Sequence, residues 1–438
     1  MIRLNLIYEN LIKIYIRRRN QQLKKIKIGL VPKLIIAIIL GVLVGQIDIL
    51  PTVIMQIPIT ISSLFSSVLS FIIPLMIIGY VIVGIADLTQ GAGKLLGATT
   101  LISYGSTLVG GLIAYAVASN VFPIFITPEL SESVTESGTG LAALFTIPLE
   151  PMMDVTSAIV FAFLFGISIS WLRGQNKGET IYHFFSDFSA IITRILNSFI
   201  IPGLPIYIFG NFVNLSYTGS IQSILAVFWR VFLIVLTLQL VGVVVLFIIA
   251  GIYRKEKPWK FIKNQVPGYI TAVGTQSSAA TIPINVEIAK KNGVSQQIRE
   301  FVVPLCATIH LYGSITTVTS CVTAVLIMYG IPFDLPLMLS FILVLGVAMV
   351  AAPGAPGGGI MSALPFLPLV GIPAAGPVAT LLISLYLTQD SFGTAANVSG
   401  DNAIALIVDK IYHTKILKDK SWTPEKNSSS EIVEEINS

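Results

Sequence analysis

GTQSSAA at residues 274–280 and AAPGAPGGG at residues 351–359 interrupt two otherwise apolar stretches of this chain. Hydrocarbon cannot hydrogen-bond free backbone groups, so such breaks persist at membrane depth only where protein buries them or where they line a cavity. Two interrupted segments in corresponding positions are typical of transporters built from inverted repeats. We therefore predict two re-entrant helical hairpins, with tips near residues 274–283 and 351–359, each followed by continuous helices.

The composition around these breaks is that of a membrane protein. Hydrophobic residues make up 54% of the 438 positions and charged residues 11%, whereas soluble domains carry roughly a quarter charged residues. Apolar stretches long enough to span a bilayer, which takes about 20 residues, recur from Gly29 to Ile411. We therefore predict one transmembrane domain over residues 29–411, with no soluble domain inside it.

Six apolar segments precede the first break, and basic residues set their topology. The segments are residues 29–47, 57–85, 95–121, 141–172, 185–209 (broken by Pro202 and Pro205) and 221–253. Basic residues cluster in residues 1–33 and in RKEK at 254–257, which predicts that both places are cytoplasmic. We expect a multi-pass protein of the cell membrane with a basic cytoplasmic segment, residues 1–28, and a polar, largely disordered cytoplasmic tail, residues 412–438.

The last long apolar segment contains the ionisable side chains, in TQDSFGTAANVSGD at residues 388–401. Helical spacing places four oxygen-bearing side chains on one stripe: Asp390, Thr394, Asn397 and Asp401. An ionisable residue inside a membrane is costly and usually faces a cavity or a partner, and hard cations prefer oxygen ligands. The stripe indicates a site for a cation or an ammonium group, although Asp401 alone also fits a capping or interfacial residue.

His310 is the only histidine within an apolar segment, because His183 and His413 lie in polar flanks. The ordinary titration range of histidine makes it a candidate proton-linked residue. A structural histidine that is simply hydrogen-bonded explains the same position equally well. Its neighbours include several hydroxyl side chains, which in membranes usually bridge helices.

Four motifs resemble the glutamate-transporter family of dicarboxylate/amino acid:cation symporters. TQSSAATIP at 275–283 is similar to the serine-rich first hairpin tip, APGGG at 355–359 to the second tip, and residues 390–401 to the eighth helix. HLYGS at 310–314 only partly matches the family's seventh-helix motif of asparagine, methionine, aspartate, glycine and threonine. The likeness covers essentially the membrane domain and is strongest over residues 269–408.

The resemblance implies a fold and a mechanism. The fold is an all-α integral membrane protein of eight transmembrane helices plus two re-entrant hairpins with inverted repeats. Family members form homotrimers in which a transport domain moves substrate and cations against a scaffold by alternating access. No cofactor is implied beyond the coupling ion, which is Na+ or, through His310, H+.

The resemblance assigns substrate binding to particular positions of this chain. They are Ser277, Ser278, Gly357, Asp390, Gly393, Thr394 and Asn397. In the family, the aspartate at the place of Asp390 holds the substrate amino group, and the side chains at Thr394 and Asn397 surround its amine and carboxylate. The serines of the first tip hold the carboxylate, and the glycines of the second tip close over it.

The resemblance also places Na+ at Asn397 and Asp401, with backbone carbonyls of the seventh helix, and a second cation site at Thr308. His310 and Tyr312 stand where the family has the asparagine and aspartate of a further sodium site. We therefore expect that further site to be lost or altered.

Two other departures concern the substrate. Gly393 stands where the family's eighth helix has the arginine that recognises acidic substrates, and Gln276 stands at the alternative arginine position beside the first tip. Arginine pairs with a carboxylate bidentately, and a second substrate charge left unpaired in a low-dielectric pocket costs on the order of several kcal/mol. This favours a small neutral amino acid such as serine, threonine or alanine, as in the family's bacterial serine/threonine transporters.

Other functions stand beside this one. An acidic amino acid or C4-dicarboxylate would need a distant cation such as Arg194 or Arg230. A membrane enzyme would use Asp390 and His310, but the chain has no nucleophile elbow or metal-binding histidine pair. An uncoupled channel would not accumulate substrate. The basic residues lie beside membrane segments without interleaved aromatics, so the expected contact is anionic lipid and not nucleic acid.

Overall fold

The computed structural model describes residues 30–47, 49–88, 93–127, 140–219, 221–350, 357–419 and 422–424, and every regular element within them is helical. The helices are α1 (Leu30–Gly45), α2 (Thr52–Leu88), α3 (Gly93–Val121), α4 (Val155–Arg173), α5 (Glu179–Ile195), α6 (Ile201–Tyr217), α7 (Ile221–Arg254), α8 (Pro258–Thr275), α9 (Ser278–Lys291), α10 (Gln296–Ile309), α11 (Tyr312–Met328), α12 (Leu335–Val350), α13 (Gly358–Ala363), α14 (Pro377–Leu387) and α15 (Asp390–Ile411). The predicted segment 1–28 and most of the tail lie outside the described residues.

Five helical stretches in the described part of the chain are long and apolar enough to cross a membrane. They are Thr52–Ala86, Lys94–Ile124, Glu179–Tyr217, Ile224–Arg254 and Gln296–Met328. Many large apolar side chains on outward faces stay exposed, among them Leu101 at 74% and Ile252 at 72%. Such faces suit lipid, which solvates apolar surface and forces backbone groups to pair within the helix. The protein is therefore an all-helical membrane protein.

The fifth predicted segment is not broken by its prolines. A π-helical turn, Leu196–Ile200, joins α5 to α6, so the helical stretch Glu179–Tyr217 runs through 39 residues. Pro202 lies in the first turn of α6, where the missing N–H does little harm because the π turn has already changed the hydrogen-bond register. The expected break was wrong because a local widening of the helix accommodates the proline.

The fourth predicted segment starts as extended chain and not as helix. Leu141 N donates to Asn214 Oδ1 at 2.8 Å and Leu144 N donates to Thr60 Oγ1 at 2.9 Å, so side chains of α6 and α2 satisfy its backbone. Helix α4 begins only after Asp154, whose carboxylate accepts the Ser157 N–H. Apolar content alone cannot separate an extended apolar run from a helix.

The chain turns sharply at the first of the two sequence breaks. Between α8 and α9, Gln276 adopts a left-handed conformation (φ 54°) and Ser277 caps α9 by accepting the Ala280 N–H at 3.3 Å. Of the second break, residues 351–356 lie outside the described part, and Gly357 precedes α13 with φ 81°. That the two sequence breaks are tips of hairpins entering the membrane stays a prediction.

A third break, which the sequence pattern missed, separates α10 from α11. His310 is extended (φ −107°, ψ 101°) and Leu311 has φ −121° and ψ 41°, so the helical ladder stops and restarts at Tyr312. The expected continuous helix after the first tip was therefore wrong. No proline or glycine run marks this break, because the groups that stabilise it come from another helix.

Arg254 lies buried, although the basic cluster around it was expected at the lipid surface. Its Nη1 donates to Asp409 Oδ2 at 2.8 Å and its Nη2 donates to Gly293 O at 2.9 Å. The guanidinium thus joins the end of α7, the turn after α9 and the end of α15. A buried ion pair of this kind is costly to break from one side, so it fixes the C-terminal end of α15.

Close approach of helices depends on small residues in the first half of the chain. A Cβ built at Gly210 of α6 would lie 2.2 Å from Pro58 O and from Ser62 Oγ of α2. Because backbone cannot shift as cheaply as a flexible side chain, a methyl group there must push α6 away from α2.

We predict that Gly210→Ala destabilises the protein by about 1–3 kcal/mol through overpacking, seen as a lower midpoint of thermal unfolding in detergent. The matched control is Gly97→Ala in α3, where a Cβ meets nothing within 4 Å. That variant should keep or raise the midpoint, since alanine favours helix over glycine. Equal midpoints for the two variants would contradict the packing described here.

Candidate functional site

The four residues of the predicted stripe on α15 are all buried in the protein. Asp390 is 5% exposed and Asp401 is 1% exposed, with Thr394 and Asn397 buried between them. Helix α15 continues to Ile411, so Asp401 lies inside the helix and is not a cap. Two carboxylates in one low-dielectric region need partners or ligands, because an isolated buried charge is very costly.

Asp390 lies where the second break meets α15. Its Oδ2 accepts the Gly357 N–H at 2.7 Å, and the Tyr386 hydroxyl lies beside the same carboxylate. Asp390 is also the first residue of α15, where the positive end of the helix dipole stabilises a negative charge. The structure thus brings two predicted substrate residues, Asp390 and Gly357, into direct contact.

Thr394 lies one turn further along the stripe. Its Oγ1 donates to Asp390 O at 2.9 Å, so the hydroxyl proton is used within α15. The oxygen keeps lone pairs that can accept a hydrogen bond from a ligand. The carboxylate of Asp390 and the hydroxyl oxygen of Thr394 together suit an ammonium donor.

Asn397 joins α15 to the start of α11 through three hydrogen bonds. Its Oδ1 accepts the N–H groups of Gly313 at 2.7 Å and of Ser314 at 3.3 Å, and its Nδ2 donates to Ser314 Oγ at 2.9 Å. The side chain therefore caps the start of α11 from another helix, which replaces the cap that Leu311 cannot provide. This is the physical reason that the chain can unwind at residues 310–311.

Asp401 meets His310 at the same break. His310 Nδ1 lies 3.0 Å from Asp401 Oδ1, and its Nε2 lies 3.1 Å from Ser106 Oγ of α3. Asp401 Oδ2 is buried and has no hydrogen-bond partner in the described part of the chain. A Cβ at Gly400 would lie 2.3 Å from His310 Cε1, so only glycine leaves room for the ring. One carboxylate oxygen is paired, and the other has no described partner.

The nearest neighbours of Gly393 on other helices are uncharged. A Cβ built there would have as nearest atoms Thr317 Oγ1 at 3.4 Å, Gln239 Nε2 at 3.5 Å and Gly313 O at 3.5 Å. All three neighbours are uncharged, and Gln239 reaches them from α7. The structure therefore puts amide and hydroxyl groups next to the position where the resemblance expects an arginine.

Most described hydrogen bonds of the first tip join residues within the tip. Besides capping α9, Ser277 accepts a bond from Thr281 Oγ1 at its carbonyl (2.8 Å), while Ser278 is buried. The arm before the tip packs on α15 through Ala272, which joins Ala395 in a small apolar cluster. The structure thus brings the first tip alongside α15 without a described hydrogen bond between its serines and the stripe.

Thr308 does not join the stripe through its side chain. The residue is exposed, and its hydroxyl donates to Leu305 O at 2.8 Å, within its own helix. Among the described residues no hydrogen bond links it to Asn397 or Asp401. Its predicted part in a cation site therefore rests on its backbone carbonyl.

Tyr312 fills the space next to His310. A Cβ at Gly110 of α3 would lie 2.6 Å from the Tyr312 ring, and one at Gly242 of α7 would lie 1.7 Å from its hydroxyl oxygen. Two glycines therefore make room for this large ring. Of the residues that sequence reasoning missed, Gln239 is an isolated amide in an apolar segment, and that isolation was a usable signal. Ser106 lies among Ser103 and Thr107 and does not stand out.

Comparison with known proteins agrees with this geometry. Residues 30–411 match the model of the sodium:dicarboxylate symporter family. The serine/threonine transporter SstT of Acinetobacter baumannii (strain AYE) is 26% identical over 394 residues, which cover 87% of this chain and 97% of that protein.

Two mammalian proteins are similar over a shorter length. The neutral amino acid transporter B(0) of Rattus norvegicus is 27% identical over 300 residues, 65% of this chain and 52% of the rat protein. Excitatory amino acid transporter 1 of Mus musculus is 29% identical over 265 residues, 59% of this chain and 47% of the mouse protein. The match thus spans nearly all of the bacterial relative and about half of each mammalian one.

We predict that Asn397→Ala unwinds the start of α11 further, because it leaves the buried amides of Gly313 and Ser314 unpaired at about 1–3 kcal/mol each. Hydrogen–deuterium exchange of the peptide containing these amides should rise. The control is Ser399→Ala on the same helix, whose hydroxyl bonds only to Ala395 O in the described structure. Unchanged exchange in Asn397→Ala would show that the break does not depend on this cap.

Proposed function

Because the chain belongs to the sodium:dicarboxylate symporter family, we propose that it is a secondary symporter for small neutral amino acids such as serine and threonine. It couples their uptake across the cell membrane to Na+ influx by alternating access. The observation that carries the substrate class is the uncharged surroundings of Gly393, whose nearest side chains are Thr317 and Gln239. A serine/threonine transporter and a neutral amino acid transporter among the similar proteins support the same class.

In this proposal Asp390 holds the substrate ammonium group. Its carboxylate is buried, stands at the start of α15 and touches the second tip through Gly357 N. Substrate bound there reaches Thr394 on the same face and, through the tips, Ser277, Ser278 and Gly357. Asn397 completes the carboxylate surroundings while it caps α11.

The proposed Na+ sites lie at the Asp401 end of the stripe. Asp401 Oδ2 is a buried carboxylate oxygen without a described partner, and hard cations take such oxygens together with backbone carbonyls. In this proposal backbone carbonyls at the helix break complete the site with Asn397, and Thr308 contributes its own carbonyl to a second site. Tyr312 fills the region of the family's further sodium site, which supports its loss.

An acidic substrate is the alternative, and the positions of the arginines weigh against it. Arg194 and Arg230 are both exposed, and the Arg230 guanidinium lies 5.6 Å from the centre of the Phe125 ring, away from α15. Neither lies among the nearest neighbours of Gly393, so neither pairs with a second substrate carboxylate there. H+ coupling through His310 is the alternative to Na+, because its ring contacts the same Asp401 carboxylate.

We further propose a homotrimer with both termini cytoplasmic.

The test is uptake of labelled serine by the purified protein in liposomes, under an inward Na+ gradient, a proton gradient or neither. We expect accumulation only with Na+ and competition by threonine and alanine but not by aspartate or succinate. Inhibition by aspartate or succinate would overturn the neutral substrate class, and accumulation driven by protons alone would move the coupling to His310. Current without accumulation would identify a channel.

Asp390→Asn should lower serine uptake at least tenfold, because loss of a buried charge partner costs about 2–5 kcal/mol and each 1.4 kcal/mol is about a factor of ten. The matched control is Asp334→Asn, which alters an exposed side chain that accepts the Leu337 N–H. The control should transport like the unmodified protein. Equal uptake by both variants would remove Asp390 from the substrate site.

A further inference from the structure

An open cleft lies between α7 and α8. Its volume is about 220 Å³, and its α7 wall consists of Leu240, Val243, Val244 and Phe247. These residues follow the spacing i, i+3, i+4 and i+7, so they form one face of the helix. Both rims of the cleft are at the surface, since Leu240 is 44% exposed and Val266 of α8 is 49% exposed. Because α7 is long and apolar enough to cross a membrane, the cleft opens towards lipid.

The polar residues of the lining use their hydrogen bonds inside the protein. Gln265 of α8 donates from Nε2 to Asn285 Oδ1 at 3.0 Å, and its Oε1 accepts from Asn402 Nδ2 at 2.7 Å. Ser399 of α15 donates to Ala395 O at 2.7 Å. The rest of the lining is aliphatic or aromatic. Apolar cavities do not hold ordered water but do take apolar molecules, so the cleft suits a hydrocarbon chain.

The α8 wall of the cleft continues into residues typical of a membrane surface. This wall consists of Ile262, Val266 and Tyr269. Trp259 precedes Ile262 by three residues, and Lys263 precedes Val266 by three, so each lies beside a cleft residue at about 5–6 Å between Cβ atoms. Trp259 and Lys263 are both exposed. Tryptophan is enriched where lipid headgroups meet water, so this end of the cleft lies near headgroup level.

The turn between α7 and α8 carries an excess of positive charge. Glu256 is the single acidic residue of positions 254–270, and it pairs with Arg254 Nε at 2.9 Å and lies 3.7 Å from Lys260 Nζ. Within the described part of the chain, no ion pair involves Lys257 or Lys263. The lysines exposed in this region are Lys255, Lys257, Lys260 and Lys263.

We propose that the cleft binds an acyl chain of an anionic phospholipid, whose headgroup contacts Lys257 and Lys263. Phe247 is the cleft residue of α7 nearest to the turn and precedes Arg254 by seven residues, about 10 Å along the helix axis. A chain in the cleft therefore reaches the turn with its headgroup. Lysines close to a membrane surface attract anionic lipid, which supplies the charge complementary to this turn. Binding of the lipid is independent of which substrate the protein carries.

The experiment titrates the purified, delipidated protein in detergent with dioleoyl phosphatidylglycerol or dioleoyl phosphatidylcholine, and native mass spectrometry counts the bound lipid. The two lipids have the same chains and differ in headgroup charge. We expect phosphatidylglycerol to bind at least about tenfold more tightly, because each contacting lysine contributes a factor of about five.

Two variants separate the chain from the headgroup. Val266→Trp fills the cleft and should weaken binding of phosphatidylglycerol at least about tenfold. Its matched control is Val109→Trp in α3, which changes a residue that is 53% exposed on another outward face and should leave binding unchanged. The double variant Lys257→Gln/Lys263→Gln keeps the cleft and should bind phosphatidylglycerol no better than phosphatidylcholine. Lys94→Gln, at an exposed lysine of α3, should keep the preference.

Equal affinity of the unmodified protein for the two lipids would overturn the proposal, as would equal binding by Val266→Trp and Val109→Trp. If phosphatidylglycerol binds the monomer but not an oligomer in the same spectra, a second copy of the chain covers the cleft, and the proposal is wrong. If Val266→Trp does not fold, as judged by size-exclusion chromatography, the double lysine variant decides: a retained preference for phosphatidylglycerol contradicts the site. Absence of serine uptake would refute the proposed function and leave the expected lipid result unchanged.

Discussion

The hydrogen bonds from the Gly313 and Ser314 amides to Asn397 Oδ1 are the interaction on which the site depends. A helix that stops and restarts inside the membrane exposes backbone groups that lipid cannot satisfy. Here a side chain of α15 satisfies them, so the broken helix and the stripe are one unit. Asp390 precedes Asn397 by about two turns and Asp401 follows it by about one. A movement of the start of α11 would therefore act on the helix that carries both carboxylates.

Glycine at the contact between α11 and α15 makes this unit compact. A Cβ at Gly313 would lie 2.3 Å from Gly393 O, so the two helices touch backbone to backbone. Small residues permit such close approach between membrane helices, where packing and hydrogen bonds replace the hydrophobic effect as the driving force. Gly393 removes the charge that an arginine would bring, and its nearest side chains, Gln239 and Thr317, are uncharged. Neutral chemistry at Gly393 and tight packing at Gly313 thus meet at one contact between helices.

Sequence reasoning worked where the pattern is local. The membrane class follows from composition, and the stripe on α15 follows from helical spacing, because both need only neighbouring residues. Sequence reasoning failed where residues far apart in the sequence determine the local structure. Unwinding at residues 310–311 depends on Asn397, the extended run after residue 140 depends on Asn214 and Thr60, and the buried state of Arg254 depends on Asp409. None of these partners is near in sequence, and only the fold brings them together.

The two carboxylate oxygens of Asp401 have different surroundings, and this shows how a histidine at position 310 alters the site. A carboxylate offers two oxygens, and here Oδ1 is taken by the imidazole while Oδ2 is left without a described partner. The imidazole also lies within hydrogen-bonding distance of Ser106 Oγ on its other side and packs against Gly400. The proposed cation at Asp401 would therefore meet Oδ2, while Oδ1 pairs with the imidazole. Asn397 lies between the two carboxylates on α15 and binds the amides at the start of α11, so one amide side chain links the helix break to both ends of the stripe.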